Sequence, residues 1–399
     1  MPKSGSSSAE IVRVFLKLGL TSFGGPIAHL GYLHEEIVRR RRWIDEADYA
    51  DLVALCQFLP GPASSQLVFA LGRHHGGPVG GCLASLCFTL PSALLMIGFA
   101  YGAMHLGDVA HARWLHGLKL AAVAVVAQAV ETMGRRLCPD WPRILLAAAA
   151  AVAVVGLLRP AAQVAVIFAG ALVGAGIYRR YLRPAAPTEK TAAAGSGRSH
   201  LGAFAVLALF FLLLVLLPLV AAHGGRAIRL FDSFYRSGAF VFGGGHVVLP
   251  LLRAELVPQG WIGDDAFFAG YGAAQAVPGP LFTFAAYLGT VIHGGPNAWL
   301  GGAGGLLALF LPGWLLVAGA LPFWQGLKRK TWAQAALRGA NAAVVGLLLA
   351  ALVGTLWPEA VRGYKDAIVA VAAFFVLERT RVPVWAVVLF CAGLGQWLL

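Results

Sequence analysis

The sequence predicts an all-α polytopic membrane protein: two homologous halves in inverted topology, with about 13 membrane segments, some broken or re-entrant. Three observations carry this. The chain of 399 residues is 59% hydrophobic and 12% charged, against roughly 25% charged residues in soluble domains, and its mean hydropathy is +0.74. The phrase Gln57-Phe58-Leu59-Pro60-Gly61-Pro62 stands inside an apolar run from about Leu52 to Leu71. It returns as Gln275-Ala276-Val277-Pro278-Gly279-Pro280, and paired broken helices are the best sequence pointer to a transporter site.

The elements follow in order. The N-terminus, MPKSGSSSAE, is polar, and the first apolar run carries Lys17 and lacks a small-residue cleavage pattern, so no cleavable signal is expected. Residues 11–33 form an apolar segment broken at Ser22-Phe23-Gly24-Gly25-Pro26. A charged stretch runs from His34 through Arg39-Arg40-Arg41-Arg42 to Asp51, and the segment broken at Pro60 follows. Two prolines and a glycine forbid a continuous helix there. Unpaired backbone survives in hydrocarbon only when buried in protein or lining a wet cavity. Ordinary spans are expected at about 77–104, 112–133, 143–158 and 160–178. The first repeat, 1–182, ends at a Pro/Ala/Gly/Ser-rich linker, 183–200, expected to be flexible and cytoplasmic. One strong span, 201–222, connects to the second repeat, 223–399. Its broken segments are 230–252, with Phe242-Gly243-Gly244-Gly245-His246, and 266–289. Further spans are expected at about 296–321, 333–356, 365–378 and 382–398.

The duplication is legible residue by residue. Adding 219 carries Phe15, Lys17, Gly19, Phe23 and Gly24 onto Phe234, Arg236, Gly238, Phe242 and Gly243. Adding 218 carries Trp43-Ile44 onto Trp261-Ile262 and Pro60-Gly61-Pro62 onto Pro278-Gly279-Pro280. Leu90-Pro91 matches Leu311-Pro312, and Gly117 matches Gly339. So many identities in one register mark an internal repeat. Charge sets the orientation. With Arg39 to Arg42 cytoplasmic and the Pro60 segment re-entrant, Arg73, Arg135, Arg136, Arg143, Lys328, Arg329, Lys330, Arg379 and Arg381 fall inside, as the positive-inside rule asks. The lone span 201–222 then starts the second half from the opposite side.

The net charge of +13 sits in short loops between apolar runs, which argues for membrane orientation and against a nucleic-acid partner. Five cysteines have no metal spacing and read as apolar packing residues. No phosphate loop, catalytic triad or metal motif is present, so no cofactor is expected and the chain is not read as an enzyme.

The candidate binding residues cluster at the breaks. Free N–H groups and the positive end of a helix dipole suit an anion, and glycine admits close approach. Gly24, Gly25, Pro26, Gly243, Gly244 and Gly245 are therefore candidates, as are Pro60, Gly61, Pro62, Pro278, Gly279 and Pro280. Helix packing by small residues is the alternative reading. Ser64, Ser65, Gln66 and Thr283 can donate hydrogen bonds to oxygen ligands, and Gln57 and Gln275 either bridge the broken backbone or touch substrate. Lys17 and Arg236 occupy one position of the repeat, each a turn before its break, and suit a dianion unless they snorkel. His246 can bind oxygen or relay a proton. Glu35, Glu36 and Glu255 read as a solvated interfacial face, with pairing to Lys or Arg as the alternative. Asp45, Glu46, Asp48, Asp264 and Asp265 read as helix-start charges.

The run Phe15-Leu16-Lys17-Leu18-Gly19-Leu20-Thr21-Ser22-Phe23-Gly24-Gly25-Pro26, the Pro-Gly-Pro phrase and their second-half copies resemble the chromate ion transporter superfamily in its long bidomain form. The resemblance implies a multi-pass protein of a bacterial inner membrane. It also implies export of chromate, a tetrahedral dianion close in shape to sulfate, and chromate resistance. The second half reads Gly-Gly-Gly-His where the first reads Gly-Gly-Pro-Ile, so unequal contributions to a site are expected. Partners are then chromate or sulfate and the lipid bilayer, and homodimerisation stays open. Rival readings are a carrier of sulfate or another oxyanion in either direction, and a membrane-embedded transferase.

Overall fold

The computed structural model describes residues 8–105, 113–157, 160–178, 197–243, 245–328 and 330–398, and these are helical, with no strand among them. Gly244, Arg329 and most of the expected linker lie outside the described residues, and nothing is described of the Pro26 side chain.

The first half opens with two helical hairpins. Helix α1 (Ser8–Thr21) turns at the glycine break into α2 (Gly25–Leu33), which continues as a wider π turn, His34–Arg40. The two arms run antiparallel: Lys17 pairs with Glu36 at 3.2 Å, and Glu10 with Arg41 at 2.7 Å nearer the open end. Helix α3 (Glu46–Phe58) starts at Asp45, whose carboxylate accepts from the Asp48 N–H at 2.7 Å, the cap expected from the sequence. After Pro-Gly-Pro comes α4 (Ala63–His105), two arms that fold back on each other at Gly76-Gly77, where Gly77 takes a φ of 66° and Gly72 packs on Gly80. Trp43 stacks on His75 at 3.7 Å, so α3 and the first arm of α4 close a second hairpin. Arg41 lies over the Trp43 ring, placing both hairpin mouths at one end. Helices α5 (Arg113–Leu137), α6 (Trp141–Leu157) and α7 (Pro160–Tyr178) complete this half.

Helix α8 (Gly197–His223) stands largely uncovered, with Leu201, Phe204, Phe211, Leu212 and Leu219 exposed. It begins within the stretch expected to be linker. Two more hairpins follow. The first joins α9 (Arg226–Ala239) to α10 (Val248–Leu256) through a 3-10 turn, Gly245–Val247. The second joins α11 (Asp264–Ala274) to α12 (Phe284–His293) through another, Leu281–Thr283. The Tyr287 hydroxyl donates to Ala266 O at 2.9 Å across the latter. Then come α13 (Ala298–Ala320), α14 (Trp324–Leu327), α15 (Thr331–Ala351), α16 (Trp357–Ala360), α17 (Tyr364–Arg379) and α18 (Val384–Leu398).

The second arm of α4, after Gly77, and α13 run in opposite directions: Tyr101, near the end of that arm, donates to Pro296 O at 2.8 Å, just before α13. The first arm runs alongside α13 in the same direction, with Gln66 Nε2 3.5 Å from Gly313 O and Arg73 donating to Ala318 O at 3.2 Å. The remaining helices are exchanged: α6 and α7 pack on α15, while α17 and α18 pack on α5. Glycine sets the closeness of these crossings. A methyl group at Gly339 would overlap the Gly170 carbonyl, and one at Gly117 would overlap the Cys391 carbonyl. Among the described residues, five helices are long and apolar enough to cross a membrane, and shorter apolar helices accompany them. The chain is a multi-pass membrane protein.

Candidate functional site

The four hairpin tips meet, and main-chain bonds between the halves join them. Gly61 N–H donates to Val241 O at 2.6 Å, and Gly279 N–H donates to Ser22 O at 2.8 Å. Gly61 and Gly279 are equivalent positions of the repeat, and so are Val241 and Ser22. Each Pro-Gly-Pro tip thus holds the glycine-break tip of the other half. Both donors need glycine: φ is 127° at Gly61 and 94° at Gly279. A side chain at Gly61 would also meet Gly313 of α13, and one at Gly279 would meet Ser92 of α4, again an equivalent pair.

The helix start at the first tip is uncapped. Gly24 has a φ of 100°, Gly25 a φ of 77°, and α2 begins with a proline in its first turn and no side-chain cap. Its first N–H groups carry a partial positive charge that nothing in the chain's side chains satisfies. Gly24 and Gly243 are exposed, whereas Gly245 is buried. Asn341 of α15 sets its Oδ1 beside Gly243.

The polar side chains around the tips belong mostly to the first half. Ser22, Ser64, Ser65, Gln66, Thr89 and Ser92 are buried; their repeat positions are Val241, Phe282, Thr283, Phe284, Phe310 and Gly313. Gln66 Nε2 donates to Pro60 O at 2.8 Å, holding the Pro-Gly-Pro turn. Among the described residues the hydroxyls of Ser22, Ser65 and Thr89 and Gln66 Oε1 have no hydrogen-bond partner. Buried polar atoms are seldom left so. Thr283 is spent locally, donating to Pro280 O at 2.9 Å, and Gln57 is exposed at the end of α3. His246 Nδ1 lies 2.8 Å from the Tyr271 hydroxyl, a bond within the second half.

Two buried groups escaped the sequence reading. His29, one turn into α2, is 1% exposed, with Nδ1 at 3.4 Å from Ser64 Oγ and Nε2 at 3.2 Å from Ser22 O. It ties the first break to the start of α4, and its signal was a histidine inside an apolar run just after a break. Lys119 is 3% exposed in α5 and pairs with Asp265; its signal was a lone cation between leucines.

The expected cations are placed a turn before the breaks but are not free. Lys17 pairs with Glu36 at 3.2 Å, and Arg236 pairs with Glu255 at 2.9 Å and Asp232 at 3.0 Å. The solvated face expected for Glu36 and Glu255 is corrected: they are 6% and 9% exposed, because hairpin formation folds each onto its cation. Asp264 and Asp265 likewise bind Arg253 and Lys119 beside their helix-start role. Among the described residues, no group of three His, Cys, Asp or Glu side chains is placed to hold a metal ion.

Comparison with known proteins agrees with this architecture. A family model described as "Chromate transporter" matches residues 9–175 and again 228–396. The chain is 30% identical to the chromate transport protein of Pseudomonas aeruginosa over 98% of this chain and 92% of that protein. It is 27% identical to the chromate transport protein of Cupriavidus metallidurans over 86% of this chain and 81% of that one. It is 28% identical to a probable chromate transport protein of Synechococcus elongatus over 87% of this chain and 84% of that one. No solved structure matches. With its family model matched once in each half, the chain belongs to the chromate transporter family.

Proposed function

We propose that this protein is a secondary transporter that exports chromate across a bacterial inner membrane and so confers chromate resistance. The meeting of the four tips through the Gly61–Val241 and Gly279–Ser22 bonds is the observation that carries the reading. It brings helix starts from both halves to one place, as an oxyanion site requires. The anion is bound by the α2 start at Gly24 and Gly25 and by the hydroxyls of Ser22, Ser65 and Thr89, with charge from Lys17 and Arg236 once their carboxylates give way. The first half supplies most hydrogen bonds, and Gln275 adds an amide from the second.

We read the halves as inverted repeats in about 13 membrane segments, four of them re-entrant hairpins. The opposed directions of the second arm of α4 and its repeat equivalent α13, and the hydrogen bonds between equivalent tips, support this. The stretch 183–200 is then cytoplasmic, and the second half begins from the far side. An inside-negative potential drives a dianion outward by about 2.3 kcal/mol per charge per 100 mV.

Uptake of radiolabelled chromate into inverted membrane vesicles, with and without a potential and with excess sulfate, tests the proposal. Accumulation driven by the potential establishes export. Accumulation of sulfate with chromate excluded makes it a sulfate carrier. Uptake of neither, by verified folded protein, refutes the oxyanion site.

A further inference from the structure

The two equivalent ion pairs are built differently. In the first half Glu36 accepts from Lys17 at 3.2 Å and from Arg41 at 2.9 Å, and Arg40 lies 3.7 Å away. Glu36 therefore keeps cations when Lys17 is drawn elsewhere. In the second half one guanidinium serves two carboxylates. Arg236 Nε donates to Asp232 Oδ2 at 3.0 Å, and Nη1 and Nη2 donate to Glu255 at 3.0 and 2.9 Å. The position equivalent to Asp232 is Arg13, so the extra carboxylate has no counterpart in the first half.

Two carboxylates against one guanidinium leave a formal charge of −1. Asp232 is 4% exposed, and its Oδ1 has no partner. The other contact of Glu255 is a neutral hydroxyl, Ser233, at 3.3 Å. Among the described residues no second cation pairs with Asp232 or Glu255, and Arg338 of α15 forms no ion pair with either. Arg253 of α10 is held by Asp264 of α11 at 2.7 and 3.0 Å. Arg226 and Arg229 are exposed on the first turn of α9, and the Tyr235 hydroxyl donates to Phe210 O of α8 at 3.1 Å. Arg198 and His200 sit at one end of α8 and His223 at the other, and α13 carries no titratable side chain.

Both edges of the Arg236 guanidinium that can take an oxyanion in two parallel bonds are held by carboxylates, so an anion that binds it in this way displaces one of them. A carboxylate displaced beside a dianion, buried and without another cation, does not stay charged. We propose that Asp232 and Glu255 together hold one exchangeable proton, taken from solution when an oxyanion engages Arg236 and carried with it. The proposal rests on the reading of Arg236 as an anion contact. Its consequence is electrical: chromate dianion plus one proton moves one net negative charge, not two.

The test uses the purified full chain in proteoliposomes, at a pH where chromate is a dianion, with the potential clamped by potassium and valinomycin. Charge moved per chromate and the pH of a weakly buffered medium are read together. The expected result is one charge and one accompanying proton per chromate. In Asp232→Asn combined with Glu255→Gln, two charges move and the proton signal is lost. Two charges and no proton in the unmodified protein overturn the proposal, as does replacement of the proton by sodium. If the double variant does not fold, the ratio in the unmodified protein decides alone. No chromate flux at any potential refutes the transport reading itself, and this proposal falls with it.

Discussion

Replacing each of the two equivalent cations by alanine gives unequal losses of stability. Arg236→Ala leaves Asp232 and Glu255, 4% and 9% exposed, with no other cation in contact. Removing one partner of a buried pair costs about 3–5 kcal/mol, because the remaining charge stays desolvated. Lys17→Ala removes a side chain that is 54% exposed, and Glu36 keeps Arg41 at 2.9 Å. A solvated pair of that kind contributes about 0–1 kcal/mol. The expected gap between the variants is therefore at least about 2 kcal/mol. Denaturant unfolding of the detergent-purified proteins, followed by tryptophan fluorescence, measures it. Adding Glu255→Gln and Asp232→Asn to Arg236→Ala recovers most of the loss. Equal losses, or a larger loss for Lys17→Ala, refute the assignment of Arg236 as the sole counter-charge of that cluster.

Gly279→Ala forces a side chain to a φ of 94° and sets its Cβ 2.7 Å from Ser92 Oγ. It should cost about 1–2 kcal/mol for the backbone and about 1 kcal/mol more for the displaced hydroxyl. Gly279→Ala with Ser92→Gly, the residue at the equivalent Gly313, should recover the second part in the same unfolding assay. Gly339→Ala should sharply reduce the yield of folded protein, since its methyl meets the Gly170 backbone; Gly134→Ala, facing open space in α5, should stabilise by about 0.5–1 kcal/mol. Asp140, in the loop between α5 and α6, is held at about 2 by hydrogen bonds from Arg143, with Tyr178 donating at 2.8 Å. A depressed folded-state value stabilises at neutral pH and loses that contribution as pH falls from about 5 toward 2, so wild type and Asp140→Asn should converge in unfolding midpoint over that interval.

The tips were legible because chain reversals within an apolar run require particular residues. Gly24, Gly61 and Gly279 adopt backbone angles that disfavour other side chains, and Pro60 and Pro278 stop the preceding helices. Which tip would hold which was hidden, since Gly61 N–H and Val241 O are main-chain atoms that any sequence offers. Glu36 and Glu255 were misread as solvated because their burial exists only once each hairpin closes. The usable signal was that the cation and the acid recur together at the same shift of 219. The Gly170-Ala171-Leu172-Val173-Gly174 spacing on α7 was visible, but its partner, Gly339, is set by tertiary packing.

The exchange of helices between the halves has a consequence for biosynthesis. Helix α5 receives two of its partners, α17 and α18, only once residues 364–398 have been made, so part of its surface waits through the synthesis of nearly the whole second half. Its face toward them, with His116 bound for Asp366 and Gly117 for the Cys391 backbone, meanwhile lacks its native cover. A ribosome that stops before Val384 therefore leaves the first half as incomplete as the second.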